Sequence, residues 1–393
     1  MQDPIVIVGM ARTPMGGLQG SLSSLTAAQL GAAAIAAAVQ RAGVAGEDID
    51  EALMGCVLPA GQGQAPARQA VLGAGLPQSV PSTTVNKMCG SGMKALMLGH
   101  DLLLSGNSQV VLAGGMESMS NAPYLLAKAR AGFRLGHGEI KDHMFLDGLE
   151  DAYQKGTLMG VFAEQCAEHY GFTRAVQDEF AIRSLTRAQE AIRAGRFVSE
   201  IAPVTLQGRK GSETVSEDEQ PLKANLDKIP QLKPAFRKDG TVTPANASSI
   251  SDGAAALVLM RASEAERRGL TPLARIVGHS SHAQAPAWFT TAPTVAIEKL
   301  LGRIGWHADS VDLYEINEAF AVVTLAAMHD LKLPAEKVNL HGGACALGHP
   351  IGASGARIVV TLLAALQHYG LRRGVASLCI GGGEATALAI ERM

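Results

Sequence analysis

Aromatic residues are scarce. Phe, Trp and Tyr make up 4% of the 393 residues, too few for the stacking platforms that single-stranded nucleic acid requires. Charge of one sign is also missing: 34 basic against 36 acidic side chains leave a formal net charge of -2, so no broad basic surface awaits a phosphate backbone. No apolar run approaches the roughly 20 residues of a membrane-spanning helix. The five cysteines, Cys56, Cys89, Cys166, Cys345 and Cys379, are odd in number and scattered, with no CxxC pair. That pattern argues against a disulfide framework or a metal site and for a reducing compartment. The opening MQDPIVIVGMARTP lacks the basic flank and long apolar core of a signal peptide, and the closing AIERM is not a peroxisomal tripeptide. A cytoplasmic location is expected.

What is present is a globular composition, 47% hydrophobic, on a chain long enough for two or three core-forming units. The 44 glycines imply many tight turns or close backbone approaches. Strand-like and helix-like runs alternate. Ile5–Val8, Val110–Ala113 and Ala256–Met260 read as buried strands, and Ala27 to Ala45 as a helix with Leu30, Ala34 and Ala38 on one face. The alternation predicts an α/β fold with buried sheets.

The chain also repeats itself. Residues 89–118, CGSGMKALMLGHDLLLSGNSQVVLAGGMES, and residues 349–385, HPIGASGARIVVTLLAALQHYGLRRGVASLCIGGGEA, share one order of parts. Each runs Gly-rich turn, amphipathic helix, turn, apolar strand, then a Gly-Gly element with Glu. Met93, Leu96, Met97, Leu103 and Leu104 should line one side of the first helix, and Ile358, Leu362, Ala365 and Leu366 one side of the second. Duplication predicts a pseudo-two-fold that brings equivalent loops together. Between the repeats, about 119–249, lies an insertion with a helix near Gln177–Ala194 and a polar segment 207–240. Its cations (Arg209, Lys210 and Lys223 among them) are partly offset by acids, and on charge alone it reads as a solvated surface excursion rather than a lid.

Four side chains, three of them beside glycine-rich turns, carry candidate chemistry. Cys89 precedes a helix, where free N–H groups and the helix dipole should lower its pKa and make a thiolate; otherwise it is a small buried hydrophobe. His349, in the duplicate of that turn, is a candidate base and oxyanion donor. Cys379 ends an apolar strand before Gly381-Gly382-Gly383 and is a candidate acid/base beside bare N–H groups. Asn317, in NEAFA, either caps a helix or holds a water or carbonyl in the site. Two thiols, an imidazole and an amide suit a two-stage acyl transfer. One thiolate accepts an acyl group, and the other thiol moves a proton on the carbon alpha to a thioester.

The motifs VNKMCGSGMKA, GGMESMSNAPY, GTVTPANASSISDGAAA, NEAFA, GGACALGHPIGASGAR and CIGGGEA together resemble the thiolases over nearly the whole chain. The resemblance implies a duplicated five-layer α/β/α/β/α fold, with halves at 1–118 plus 250–270 and at 271–393. It also implies a loop domain at 119–249 that binds coenzyme A, and a homotetramer. Under it Cys89 is the acylated nucleophile, His349 activates it and steadies the enolate, Cys379 is the acid/base, and Asn317 holds an oxyanion-hole water. The N–H groups of Cys89 and Gly381 form the other oxyanion hole. Ser248, Phe236, Phe320, Met159, Leu149 and Lys223 would contact acyl-CoA. No permanent cofactor, metal, nucleic acid or membrane partner is implied.

The implied reaction is condensation of two acetyl-CoA, as in the acetoacetyl-CoA type, or its reversal. The alternatives are a broader-chain 3-ketoacyl-CoA thiolase of fatty-acid degradation and a non-catalytic acyl-CoA-binding scaffold. Leu158 stands where short-chain members often carry His, Pro221 where biosynthetic members often carry Arg, and His341 and Cys345 replace Asn and Ile. Cys345 is expected to serve packing.

Overall fold

The computed structural model describes residues 3–208 and 211–393. Arg209 and Lys210 lie outside them.

In the first half, β1 (Ile5–Arg12) leads to α1 (Ala27–Ala42), β2 (Glu51–Gly55), α2 (Pro66–Gly73), β3 (Ser82–Val85), α3 (Ser91–Ser105) and β4 (Val110–Ser118). The insertion carries α4 (Met159–Tyr170) and α5 (Arg174–Arg193), and β5 (Ser251–Arg261) closes the half. The second half follows with β6 (Ala274–Ala283), α6 (Ala292–Ile304), β7 (Leu313–Ile316), α7 (Ala321–Leu331), α8 (Ser354–His368), β8 (Arg373–Ile380) and β9 (Glu384–Arg392). Helix α1 stops three residues short of the predicted Ala45 because Gly43, at φ 68°, takes the left-handed cap conformation.

The strands run β7-β8-β9-β6-β1-β5-β4-β2-β3. This is one half-sheet repeated. Parallel β2–β4 matches parallel β7–β8, antiparallel β4–β5 matches β8–β9, and β1–β5 matches β6–β9. Even the irregularities recur, with register shifts at Ile7/Gly9 in β1 and at Ile276/Gly278 in β6. The two half-sheets join through the pairs Val6–Arg275 and Ile7–Ala274.

Alternation along the strands builds the layers. Ala254, Ala256 and Val258 of β5 pack toward α1, whereas Ala255, Leu257 and Leu259 pack toward α3 and α8. A third cluster joins α6 and α7 to the other face of the second half-sheet. Helices α3 and α8 are therefore the central of five layers. This explains two departures from a one-sided helix. In α8 every residue from Ser354 to Leu366 is buried, because sheet or helix covers it all round. In α3 Leu104 is 37% exposed, near the end where the layer opens to solvent.

Glycine makes the central crossing possible. A Cβ on Gly355 would lie 2.4 Å from the Met93 nitrogen, and one on Gly92 would lie 2.8 Å from the Ala356 nitrogen. These glycines hold equivalent places in the two repeats, so each helix admits the other's backbone at the start of its first turns.

The insertion is not a solvated excursion. Buried Arg12 of β1 forks onto Asp218 at 2.6 and 2.9 Å and also pairs with Glu200. Phe162 and Ala163 of α4 pack with Val322 and Val323 of α7, and Leu185 and Ala188 of α5 pack with Ala346 and Leu347. Apolar burial and an enclosed ion network outweigh the surface charge that the sequence displays.

Candidate active site

The chain leaves β3 at Val85 and enters α3 at Ser91, turning at Met88, whose φ of 48° is left-handed. Ser91 pins this turn: its Oγ accepts from the Lys87 N–H at 2.9 Å and donates to the Met88 carbonyl at 2.6 Å. Cys89 sits one residue before the cap, Gly90, rather than inside the first turn. It packs with Leu149 against an apolar cluster that includes Val57, Leu58 and Ile351. That burial pushes the thiol up to about 11, while hydrogen bonds from the N–H groups of Gly381 and of Cys89 itself act in the opposite direction. The expected lowering by the helix terminus is therefore overturned, because removing water from a thiolate outweighs nearby dipoles.

His349 occupies the duplicate turn, and its preparation was not visible in the motif. Ser354 Oγ donates to the Pro350 carbonyl at 2.9 Å and meets His349 Nδ1 at 2.6 Å. With its own proton committed, the hydroxyl accepts from Nδ1–H, which leaves the lone pair on Nε2. Nε2 has no protein partner although it is buried. Burial, with the charge of Arg357 behind it, holds the imidazole down at about 3, so it rests neutral. Ser354 is the equivalent of Ser91, and in both repeats this serine fixes the turn that presents the reactive group.

Cys379 is buried near the end of β8. Burial raises its thiol well above the ordinary range, and negative charge on Cys89 raises it further, so the two sulfurs lie within electrostatic reach. Beyond it Gly382 and Gly383 take φ 93° and 87°, turning the chain back into β9 and leaving the Gly381 N–H toward Cys89. Two contacts hold this turn against the Cys89 turn. Lys87 pairs with Glu384, and Gly90 packs so closely that a Cβ there would lie 2.4 Å from Ile380 Cδ1.

Asn317 lies between β7 and α7. The cap of α7 is Phe320, which contributes no side-chain hydrogen bond, so the capping reading of Asn317 does not hold. Its N–H donates to the Ser377 carbonyl at 3.0 Å, yet both atoms of its buried amide lack a protein partner. Neighbouring Glu318 is structural. It accepts from Ser184 Oγ at 2.6 Å, Asn339 Nδ2 at 2.9 Å and the Cys345 N–H at 3.1 Å. Another carboxylate escaped the sequence reading. Glu117 accepts from the N–H groups of Val57, Leu58 and Gly352, at 2.9, 3.2 and 3.0 Å, and so ties the loop after β2 to the loop of His349.

Beside Cys379, Phe236 and Phe320 meet edge-to-face at 6.0 Å in a cluster that Met159 joins, and Met159 Sδ lies 3.6 Å from where a Gly381 Cβ would stand. Ser248 donates its N–H to the Ala319 carbonyl at 2.9 Å, which sets it next to Phe320. A cleft of about 240 Å³ opens between the insertion and the second half, lined in part by Gln220, Lys228, Ser249 and Cys345. Lys223 is engaged by Glu219 and stays outside that lining; the cleft's lysine is Lys228. Cys345 thus faces a cleft as well as packing on Glu318.

The site residues comprise a thiol that receives the Gly381 N–H, a second thiol within electrostatic reach of it, a neutral imidazole with an unpartnered Nε2, and an amide without a protein partner. The family models described as the N-terminal and C-terminal domains of thiolase match residues 5–263 and 270–392. A "Probable acetyl-CoA acetyltransferase" of Dictyostelium discoideum is 51% identical over 392 residues, covering 100% of this chain and 94% of that one. "Acetyl-CoA acetyltransferase 2" of Arabidopsis thaliana is 52% identical over 390 residues, covering 98% and 96%. The crystal structure of the Bacillus anthracis acetyl-CoA acetyltransferase superposes with a TM-score of 0.97 at 43% identity, covering 100% of this chain and 99% of that one.

Proposed function

Because this chain belongs to the thiolase family, we propose that it is an acetyl-CoA C-acetyltransferase, joining two acetyl-CoA into acetoacetyl-CoA and CoA or running the reverse cleavage. The observation that carries this reading is the half-buried Cys89 receiving the Gly381 N–H, with the buried Cys379 sulfur in electrostatic reach of it.

In the first stage His349 Nε2 takes the Cys89 proton as the sulfur attacks the acetyl carbonyl. The developing oxyanion accepts from the N–H groups of Cys89 and Gly381. CoA leaves as a thiol with the proton returned from His349, and the acetyl group stays on Cys89. In the second stage the Cys379 thiol passes its proton to His349 Nε2, and the thiolate so formed removes a proton from the methyl group of a second acetyl-CoA. The enolate oxygen accepts from protonated Nε2 of His349 and from a water held by Asn317. The enolate carbon attacks acetyl-Cys89, the carbon–sulfur bond breaks, and His349 Nε2–H reprotonates the Cys89 thiolate, while Cys379 keeps the methyl proton, so both thiols and the neutral imidazole are restored.

A thiol near 11 beside an imidazole near 3 rests as a neutral pair. The proton moves only when attack develops charge and substrate fills the site, which limits stray alkylation. Phe236, Phe320, Met159 and Leu149 wall the acyl and pantetheine path, Ser248 contacts the pantetheine, and residues 119–249 form the loop domain that carries much of it. The closeness of Met159 to Gly381 favours a short acyl group.

Five free cysteines fit a reducing cytoplasm. Among the described residues no helix is long and apolar enough to cross a membrane. Tyr124, Leu126, Leu135 and Ile140 are 69%, 51%, 99% and 69% exposed in one stretch of the insertion, which supports assembly into a homotetramer through that segment.

The kinetic test is the initial-rate pattern in the cleavage direction. Varying CoA at several acetoacetyl-CoA concentrations gives parallel double-reciprocal lines if an acyl-enzyme separates the stages, and intersecting lines if it does not.

A further inference from the structure

Away from the thiols, three side chains from both halves of the molecule meet at one point. His100 and Asp101 are adjacent on α3, and His279 is on β6. Asp101 Oδ1 lies 3.2 Å from His100 Nδ1 and 2.9 Å from His279 Nε2, and all three ligand-capable atoms fall within 4.8 Å of one another. The rings stand at 87° with centroids 5.1 Å apart and do not stack, and one nitrogen of each faces the same carboxylate oxygen. His100 is buried, His279 is half-buried, and Asp101 is 53% exposed at its side chain, which leaves one side open to water.

The dimensions fit a metal. Bonds of about 2.0–2.2 Å in a tetrahedron separate the ligand atoms by about 3.3 Å. Two imidazoles and one carboxylate, with an open fourth position, form a donor set suited to borderline divalent ions. The donor set contains no cysteine, so cysteine spacing carries no information about it.

We propose that His100, Asp101 and His279 bind a divalent transition-metal cation, zinc in the first instance, with water as the fourth ligand. The site lies nine residues beyond Ser91, about 14 Å along α3 at 1.5 Å per residue, so the ion takes no part in acyl transfer. Its role is to clasp the central helix of the first half to the sheet of the second. Without metal, Nδ1–H and Nε2–H donate to the carboxylate. On binding, each ring keeps one proton by moving it to its other nitrogen.

The test uses the full-length, chelator-treated protein titrated with Co²⁺ by absorption and with Zn²⁺ by calorimetry. The proposal expects one equivalent per chain, ligand-field bands without a thiolate-to-cobalt band, and a higher Tm in zinc by mass action. His279→Gln and Asp101→Asn should weaken zinc binding at least about tenfold and abolish the Tm rise. Both should keep condensation activity, which certifies their folding. Absence of binding at micromolar metal, unchanged binding in both variants, or a thiolate band on the bound cobalt would each leave only a hydrogen-bonded clamp and overturn the metal site.

Discussion

The turns at residues 86–92 and 349–355 share a backbone device and differ in cargo. Each ends in a serine that pins the preceding turn, Ser91 to Lys87 and Met88, Ser354 to Pro350. Each is followed within a residue by a glycine that admits the opposite helix, Gly92 and Gly355. The first carries a thiol and the second an imidazole. In the first the serine fixes only backbone, whereas in the second it also sets which ring nitrogen keeps the proton. The two half-sheets give two equivalent presentations, and under the proposed mechanism the residue each carries makes one turn the nucleophile and the other the base.

The comparison breaks most severely at the helix crossing. Gly355→Ala forces a Cβ to 2.4 Å from backbone and should destabilise the fold by about 2–3 kcal/mol, with Gly92→Ala, at 2.8 Å, costing less. Denaturant midpoints measure both; equal, near-zero effects would mean the crossing is looser than described. The serines sharpen the contrast. Ser354→Ala frees the Nδ1 tautomer and should lower kcat about 10- to 100-fold, while Ser91→Ala should cost about 1 kcal/mol of stability with a smaller kinetic effect. Similar kcat losses in both would show that the serine acts on backbone alone.

The smallest effect is on pH dependence. With the Cys89 thiol pushed up to about 11, alkylation of the free enzyme by iodoacetamide should keep rising about tenfold per pH unit past pH 9. A plateau near pH 8 would show an ordinary or activated thiol instead. Acid acts in the other direction on stability. His349 and His341, both held near 3, are neutral in the fold but gain protons in the unfolded chain. Their contribution is full above about pH 6.5 and is lost progressively as pH falls toward 3.

Much of this was legible in the sequence. The repeat was readable because helix, strand and glycine punctuation recur in order, and the strands 5–8, 110–113 and 256–260 fell inside β1, β4 and β5. Cys89, His349 and Cys379 stood out as candidates because each borders a glycine-rich turn, and Asn317 because it follows an apolar strand in NEAFA. What stayed hidden depended on three dimensions. Whether a thiol before a helix is activated or desolvated depends on Leu149 and Ile351, distant in sequence. Ser354 looked like any serine at a helix start until its hydroxyl met the ring. Arg12, Glu200 and Asp218 seat the insertion across about 200 residues of sequence, a spacing at which no local pattern pairs charges. The all-round burial of α8 required knowing that a second sheet covers it.

The division of labour between the two sulfurs is the central claim. Cys379→Ser protein mixed with acetyl-CoA, digested and analysed by mass spectrometry tests it most directly. The account predicts one acetyl group on the peptide containing Cys89, no acetoacetyl-CoA formed, and no label in Cys89→Ser protein. Acetyl on any other residue, or a Cys379→Ser enzyme that still condenses at the native rate, would contradict it.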